Sequence, residues 1–171
     1  MKFVHNLSLY NSCVKLRKPL ALVMSLVLVG VISACGSAVT VSAIGTWYAA
    51  LAKPFLNPPA WIFAPVWTLL YIAMAIAVWR IWILPKRDAR WRLALLVYGL
   101  QLAANLLWSV LFFGLHNVGA ALIDLAALWG FILACAILFH RLDKTAGYLL
   151  VPYILWVTFA GYLNLALFLL N

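Results

Sequence analysis

Leu122–Phe139 reads LIDLAALWGFILACAILF, with one acid, no other charge and no alternation of polar and apolar residues. A helix rises 1.5 Å per residue, so about 20 such residues cross a hydrocarbon core of about 30 Å. Lipid offers the backbone no hydrogen-bond partner, so such a run is a helix unless strands close a barrel, and barrel strands alternate in polarity. Working outward, runs such as LALVMSLVLVGV (Leu20–Val31) read the same way. Helices are expected at about 20–44, 62–84, 93–113, 118–139 and 146–170. The fold class is an all-α membrane protein, a bundle of five transmembrane helices.

Composition agrees. Of 171 residues, 68% are hydrophobic and 9% charged. A soluble domain carries about 25% charged residues, and a chain this small keeps too much surface to hide its apolar side chains from water. A soluble enzyme, a disordered tail and a nucleic-acid module are excluded on that ground. The acids are Asp88, Asp124 and Asp143; the histidines are His5, His116 and His140. Cys13, Cys35 and Cys135 have no ligand spacing, so neither a disulfide framework nor a metal site is expected.

The net charge of +9 is read as topology. Lys2, Lys15, Arg17 and Lys18 precede the first span, within a basic extension at 1–19 that leads into a single domain at 20–171. Arg80, Lys86, Arg87, Arg90 and Arg92 surround the second turn, and Arg141 and Lys144 the fourth; of 12 Lys and Arg, Lys53 alone falls on the other side. The positive-inside rule then puts the N-terminus inside and the C-terminus outside. Residues 1–35 also read as a secretory signal, with Ile32–Gly36 (ISACG) fitting a lipoprotein cleavage box. The apolar run continues through AVTVSAI beyond Cys35, which favours a full span over a short signal. Cleavage at Cys35, leaving four helices, and a start at Met24 stay open as alternatives.

Gly45–Trp61 is the one long connection. Pro54, Pro58 and Pro59 break helix there, and a structureless loop of this length is usually functional or disordered. It carries Trp47, Tyr48, Phe55 and Trp61, which marks it as a candidate lid. Inside the spans, Gln101, Asn105 and Ser109 recur at i, i+4 and i+8 on one helix face, beside Trp108. They read either as interhelical glue, worth about 0.6 kcal/mol per hydrogen bond, or as the lining of a cavity. Asp124, the one acid within a span, should face the bundle interior in a structural role. Pro65 falls in a first helical turn, where it costs little. Pro152 should kink the fifth helix and free a carbonyl near Leu155–Trp156.

Nine tryptophans need places. Trp79, Trp82 and Trp91 suit the interface on the basic side, and Trp129 suits packing within the fourth span. Trp47, Trp61, Trp67, Trp108 and Trp156 lie toward the loop side, either as a second interfacial belt or, with Tyr48, Phe55 and Tyr71, as an aromatic pocket. Such a pocket suits a large flat hydrophobic molecule.

The stretch WYAALAKPFLNPPAWIFAPVWTLLY (Trp47–Tyr71) resembles the translocator protein family, also called TspO or the tryptophan-rich sensory proteins. So do QLAANLLWSVLFFG (Gln101–Gly114), ALIDL (Ala121–Leu125) and VPYILWVTFAGYLN (Val151–Asn164). The resemblance implies a five-helix bundle with a ligand cavity closed by the helix 1–2 loop. It implies protoporphyrin IX or haem as ligand, with no required cofactor, and a role in porphyrin transport, sensing or disposal. Matching positions imply ligand contacts at Tyr48, Trp67, Asn105, Trp108, Trp156 and Ala160, with Trp61 lining or bracing the pocket. Light-dependent porphyrin degradation, attributed in some bacterial members to two tryptophans, would fall on Trp67 and Trp156. That enzymatic reading rests on resemblance alone, since no acid–base or nucleophile constellation is visible. A regulatory membrane partner without its own ligand is the third reading.

A bacterial cell-envelope membrane, a surrounding lipid bilayer and a homodimer complete what the resemblance implies. The cholesterol pattern is broken, because LNLALFLLN after Tyr162 carries no basic residue. The reversed pattern Arg92…Tyr98…Leu100 is too loose to argue from, so no cholesterol import is expected. The animal GxxxG aligns with Leu96 and Leu100 and is absent, leaving Gly99 and Ala103 as a different small-residue face.

Overall fold

In a computed structural model the chain runs through α1 (Lys2–Ile44), α2 (Trp47–Ala50), α3 (Ala60–Trp82) and α4 (Ala89–Ser109), then a π-helical turn at Val110–Gly114, α5 (Val118–Leu142), α6 (Lys144–Tyr148) and α7 (Val151–Leu170). The structure describes residues 2–171, with side chains from Lys18 onward. The side chains of Lys2, His5, Cys13, Lys15 and Arg17, and with them most of the expected basic extension, lie outside that description. Five segments are long and apolar enough to cross a membrane: Lys18–Ile44, Ala60–Trp82, Ala89–Gly114, Val118–Leu142 and Lys144–Leu170.

Side-chain caps set several helix starts, two of which hydropathy misplaces by a few residues. Asp88 accepts the amide of Trp91 at 3.1 Å, which starts α4 at Ala89 rather than near 93. Asn117 caps α5 through the Ala120 amide at 2.9 Å, and Asp143 caps α6 through the Ala146 amide at 2.9 Å. Each satisfies a backbone donor that no helical carbonyl can reach. Arg80 grips Asp143 with Nε at 3.0 Å and Nη2 at 2.8 Å, tying the end of α3 to the α5–α6 corner. This guanidinium holds the Asp143 carboxyl below its ordinary range.

The fifth span is broken, but not where the sequence reading put the freed carbonyl. The break falls at Leu149–Leu150, and Pro152 lies in the first turn of α7. A helical amide bonds four residues back, so the N–H missing from Pro152 leaves the carbonyl of Tyr148 free, not one near Leu155–Trp156. Gly147 makes the corner possible: a Cβ there would lie 2.5 Å from His140 Cβ and 2.7 Å from His140 Cα.

The helices pack α4 on α5, α1 on α3 and α5 on α7. The filled core occupies the basic half of the bundle: Met74, Ala75, Val78 and Ile81 of α3 meet Tyr98 of α4, Ile132 and Phe139 of α5, and Tyr153 of α7. Small residues let these backbones approach, since packing rather than hydrophobic exclusion joins helices in lipid. Toward the loop only a small cluster around Phe112, Ala121 and Leu167 is filled. That asymmetry leaves room for a cavity on the loop side.

Candidate functional site: an aromatic cavity under the loop

A cavity of about 730 Å³ lies between α1, α3, α4 and α7, beneath the connection from α1 to α3. Tyr48, Trp67, Asn105, Trp108, Trp156 and Ala160 all line it. Trp61 does not: it stands in the first turn of α3 with 73% of its surface exposed. Phe55 also points away, 99% exposed at the loop tip. Both rings fit the belt of aromatics found at membrane interfaces.

The walls differ in chemistry. On one side Phe63, Trp67, Tyr71, Trp108 and Trp156 present aromatic faces and edges; Phe63 meets Trp156 edge-on at 5.8 Å and Trp67 lies 5.6 Å from Tyr71. On the other, Ser33, Ser37 and Thr40 of α1 and Ser109 of α4 supply hydroxyls. Gly36 allows this approach, with Ser109 Oγ 3.4 Å from where its Cβ would be.

Asparagines fix the aromatic wall. Tyr71 donates its hydroxyl to Asn105 Oδ1 at 2.7 Å, and Asn105 Nδ2 donates to the Tyr153 hydroxyl at 3.0 Å. One side chain thereby links α3, α4 and α7. Trp108 Nε1 donates to Asn164 Oδ1 at 3.0 Å, and Asn164 Nδ2 donates to the Val118 carbonyl at 2.9 Å. The polar stripe on α4 therefore divides. Asn105 is both interhelical glue and cavity wall, Ser109 is wall, and Gln101 is core, 1% exposed with Oε1 unpartnered among the described residues. Asp124 lies off the cavity, with a buried Oδ2 that has no hydrogen-bond partner among the described residues.

The loop is ordered by its own polar groups and by Asn171 and His116. Trp47–Ala50 forms one helical turn, α2, and Asn57 closes a turn through its amide to the Pro54 carbonyl at 3.0 Å. Tyr48 donates its hydroxyl to Asn57 Oδ1 at 2.9 Å, and burial raises its phenol pKa so that it stays a neutral donor. Lys53 Nζ donates to the carbonyls of Ala49 and Leu51 at 2.9 and 3.3 Å and lies 5.1 Å over the Tyr48 ring. Asn171 holds both backbone groups of Ala52, accepting its N–H at 3.0 Å and donating to its carbonyl at 3.2 Å. Trp47 stacks on His116 at 4.3 Å, and His116 takes the left-handed φ of 55° that ends the π-helical turn.

Sequence reasoning missed Lys53, Asn57, Phe63, Asn164 and Asn171. Asn164 had a visible signal, since it follows Trp156 and Ala160 at i, i+4 and i+8. The remaining tryptophans on the basic side do interfacial and packing work. Trp79 Nε1 donates to the Lys18 carbonyl at 2.8 Å and Trp91 Nε1 to the Ile81 carbonyl at 2.9 Å. Trp129 Nε1 donates to Thr158 Oγ1 at 2.8 Å, tying α5 to α7.

Residues 21–170 match the model of the TspO/MBR family. The tryptophan-rich protein TspO of Archaeoglobus fulgidus is 41% identical over 155 residues, covering 89% of this chain and 97% of that one. The protein of the same name in Chlorobaculum tepidum is 40% identical over 136 residues, 80% of this chain and 86% of its own length. The translocator protein of Bos taurus is 43% identical over 119 residues, covering 69% and 70%.

Proposed function

Because the chain belongs to the TspO/MBR family, we propose that this multi-pass membrane protein binds a tetrapyrrole, protoporphyrin IX or haem, in the cavity under the loop and serves in its transport or sensing. One observation carries the reading: a cavity of about 730 Å³ walled on one side by aromatic rings that asparagines hold in place. Planar π systems stack on such rings, and the volume lies within the usual range for sites that enclose a ligand of this size. Tyr48, Trp67, Asn105, Trp108, Trp156 and Ala160 contact the macrocycle. Lys53, the one cation among the described residues that line the cavity, takes the carboxylate edge of the ligand. Trp61 anchors the loop at the interface and has no part in the contact.

The N-terminus faces the inside of a bacterial cell-envelope membrane, by the excess of Lys and Arg on that side. A homodimer forms through α4, where a Cβ at Gly99 would meet nothing within 4 Å among the described residues beyond its own helix backbone. A second reading, breakdown of the bound porphyrin under light, has its own support: Trp67 and Trp156 both line the cavity, and neither indole N–H has a hydrogen-bond partner among the described residues.

Titration of purified protein with protoporphyrin IX in the dark, followed by tryptophan quenching and then by illumination, tests these readings. Saturable quenching is expected, and its absence sinks the binding proposal. Unchanged porphyrin absorbance under light removes the enzymatic reading. Loss of absorbance that persists in Trp67→Phe/Trp156→Phe removes those two residues from it.

A further inference from the structure

The cavity is not closed on all sides. On α1, Ser37, Val41 and Ile44 line it, yet Val41 is 73% and Ile44 40% exposed. At 100° per residue, Val41 lies about 140° around the helix from the buried Gly36. A residue so far around α1 can line the cavity only where the cavity reaches the outer surface. On α3 the flank is equally clear. Phe63 turns toward Trp156 of α7, whereas Ala64 and Thr68 lie on the other side of Trp67, toward α1, and both are exposed. Further along the same flank, Ala75 is wholly buried. The two helices therefore pack together in the basic half of the bundle and part toward the loop, leaving a slot between Ser37 and Val41 on one side and Ala64 and Thr68 on the other.

Depth places the slot in lipid. Thr68 lies about 12 Å inside the start of α3, and Val41 about 5 Å inside the end of α1. Two of its hydroxyls are satisfied within their own helices: Thr40 donates to the Gly36 carbonyl and Thr68 to the Ala64 carbonyl, each at 2.8 Å. No hydrogen bond joins α1 to α3 along the slot among the described residues. The loop above is, by contrast, tied by the Asn171 clamp on Ala52, the Tyr48–Asn57 bond and the Trp47–His116 stack.

We propose that the cavity is loaded sideways, by a flat amphiphile dissolved in the loop-side lipid leaflet that passes between α1 and α3 while the loop stays latched. The identity of that amphiphile as a tetrapyrrole rests on the reading above; the doorway itself does not. A planar molecule with carboxylates along one edge already lies in a leaflet with its apolar body at slot depth and its charges at the headgroups. Shifted sideways, it brings the same edge to Lys53 without turning over.

Two measurements in lipid vesicles test this. The first follows association of bilayer-dissolved protoporphyrin IX by tryptophan quenching. Ala64→Phe and Ser37→Phe, one on each wall, are expected to slow it by about tenfold or more, because entry then requires helix separation. Leu69→Phe, equally bulky on the 68%-exposed outer face of α3, leaves the rate unchanged. The second needs no ligand. Ala160→Cys, in a chain with Cys13, Cys35 and Cys135 replaced by Ala, is labelled with the lipid-soluble N-phenylmaleimide. Ala64→Phe is expected to slow labelling by a similar factor.

Labelling that Ala64→Phe and Ser37→Phe both leave unchanged overturns the doorway, as does faster association in Asn171→Ala by about tenfold, which would make the loop the door. Absent porphyrin binding together with slot-dependent labelling overturns the tetrapyrrole reading and leaves the doorway standing. Circular dichroism of each variant shows whether it is folded.

Discussion

Asn105→Ala removes the side chain that joins three helices at the floor of the cavity. It breaks the bond from Tyr71 at 2.7 Å and the bond to Tyr153 at 3.0 Å. Interhelical hydrogen bonds in membranes average about 0.6 kcal/mol, so the two together supply about 1.2 kcal/mol. Tyr153 is 0% exposed, and its hydroxyl is left without a partner, which costs about 1–3 kcal/mol more. The expected loss is therefore about 2–4 kcal/mol. A double-mutant cycle separates the parts. Tyr71→Phe, Asn105→Ala and the double variant are unfolded reversibly by adding SDS to mixed micelles. The Tyr71–Asn105 coupling should come out near 0.6 kcal/mol and no higher than about 1.7 kcal/mol. Additive losses, with no coupling, would refute the reasoning that Asn105 fixes the aromatic wall through the Tyr71 hydroxyl.

Gly147→Ala forces a methyl to within 2.5–2.8 Å of His140 Cβ, Cα and N. Backbone cannot swing aside as a side chain can, so a loss of about 1–3 kcal/mol is expected in the same assay. Asn171→Ala frees both backbone groups of Ala52, and hydrogen exchange should show the Ala52 amide exchanging faster while the amides of α5 are unchanged. Asp143 contributes to stability through its depressed folded pKa, with Arg80 as the main cause. That contribution is present above the unfolded carboxyl value and is lost as pH falls through the folded one. The melting temperature should therefore fall as pH drops below the unfolded carboxyl value of about 4, and fall less in Asp143→Asn.

The spans were legible because bilayer thickness fixes run length, and a run such as Leu122–Phe139 has no other stable form in lipid. Their ends were less so, because Asp88 and Asp143 cap helices whose first turns are not uniformly apolar. The aromatic wall could be anticipated from the resemblance of the stretches around Trp67, Asn105, Trp108 and Trp156 to one family, since only Asn105 and Trp108 share a helix. What could not be read were relations between distant segments: the Asn171 amide on Ala52 and Lys53 over Tyr48. Trp61 shows the same limit. Its place beside the NPP motif marks the loop, but the direction of its ring depends on the whole turn, and it points outward. Pro152 broke the fifth span as expected of a residue without an N–H, at the carbonyl four residues before it.

The central claim is that a planar ligand fills the cavity, and its most direct test is equilibrium titration with protoporphyrin IX of two variants that end with the same large side chain. Ala160→Trp fills the cavity from α7, whereas Ile123→Trp adds its ring to the outer surface of α5, where Ile123 is 76% exposed. Saturable binding by the native chain and Ile123→Trp, weakened by about tenfold or more in Ala160→Trp, is the predicted result. Equal affinity in Ala160→Trp and the native chain would contradict it.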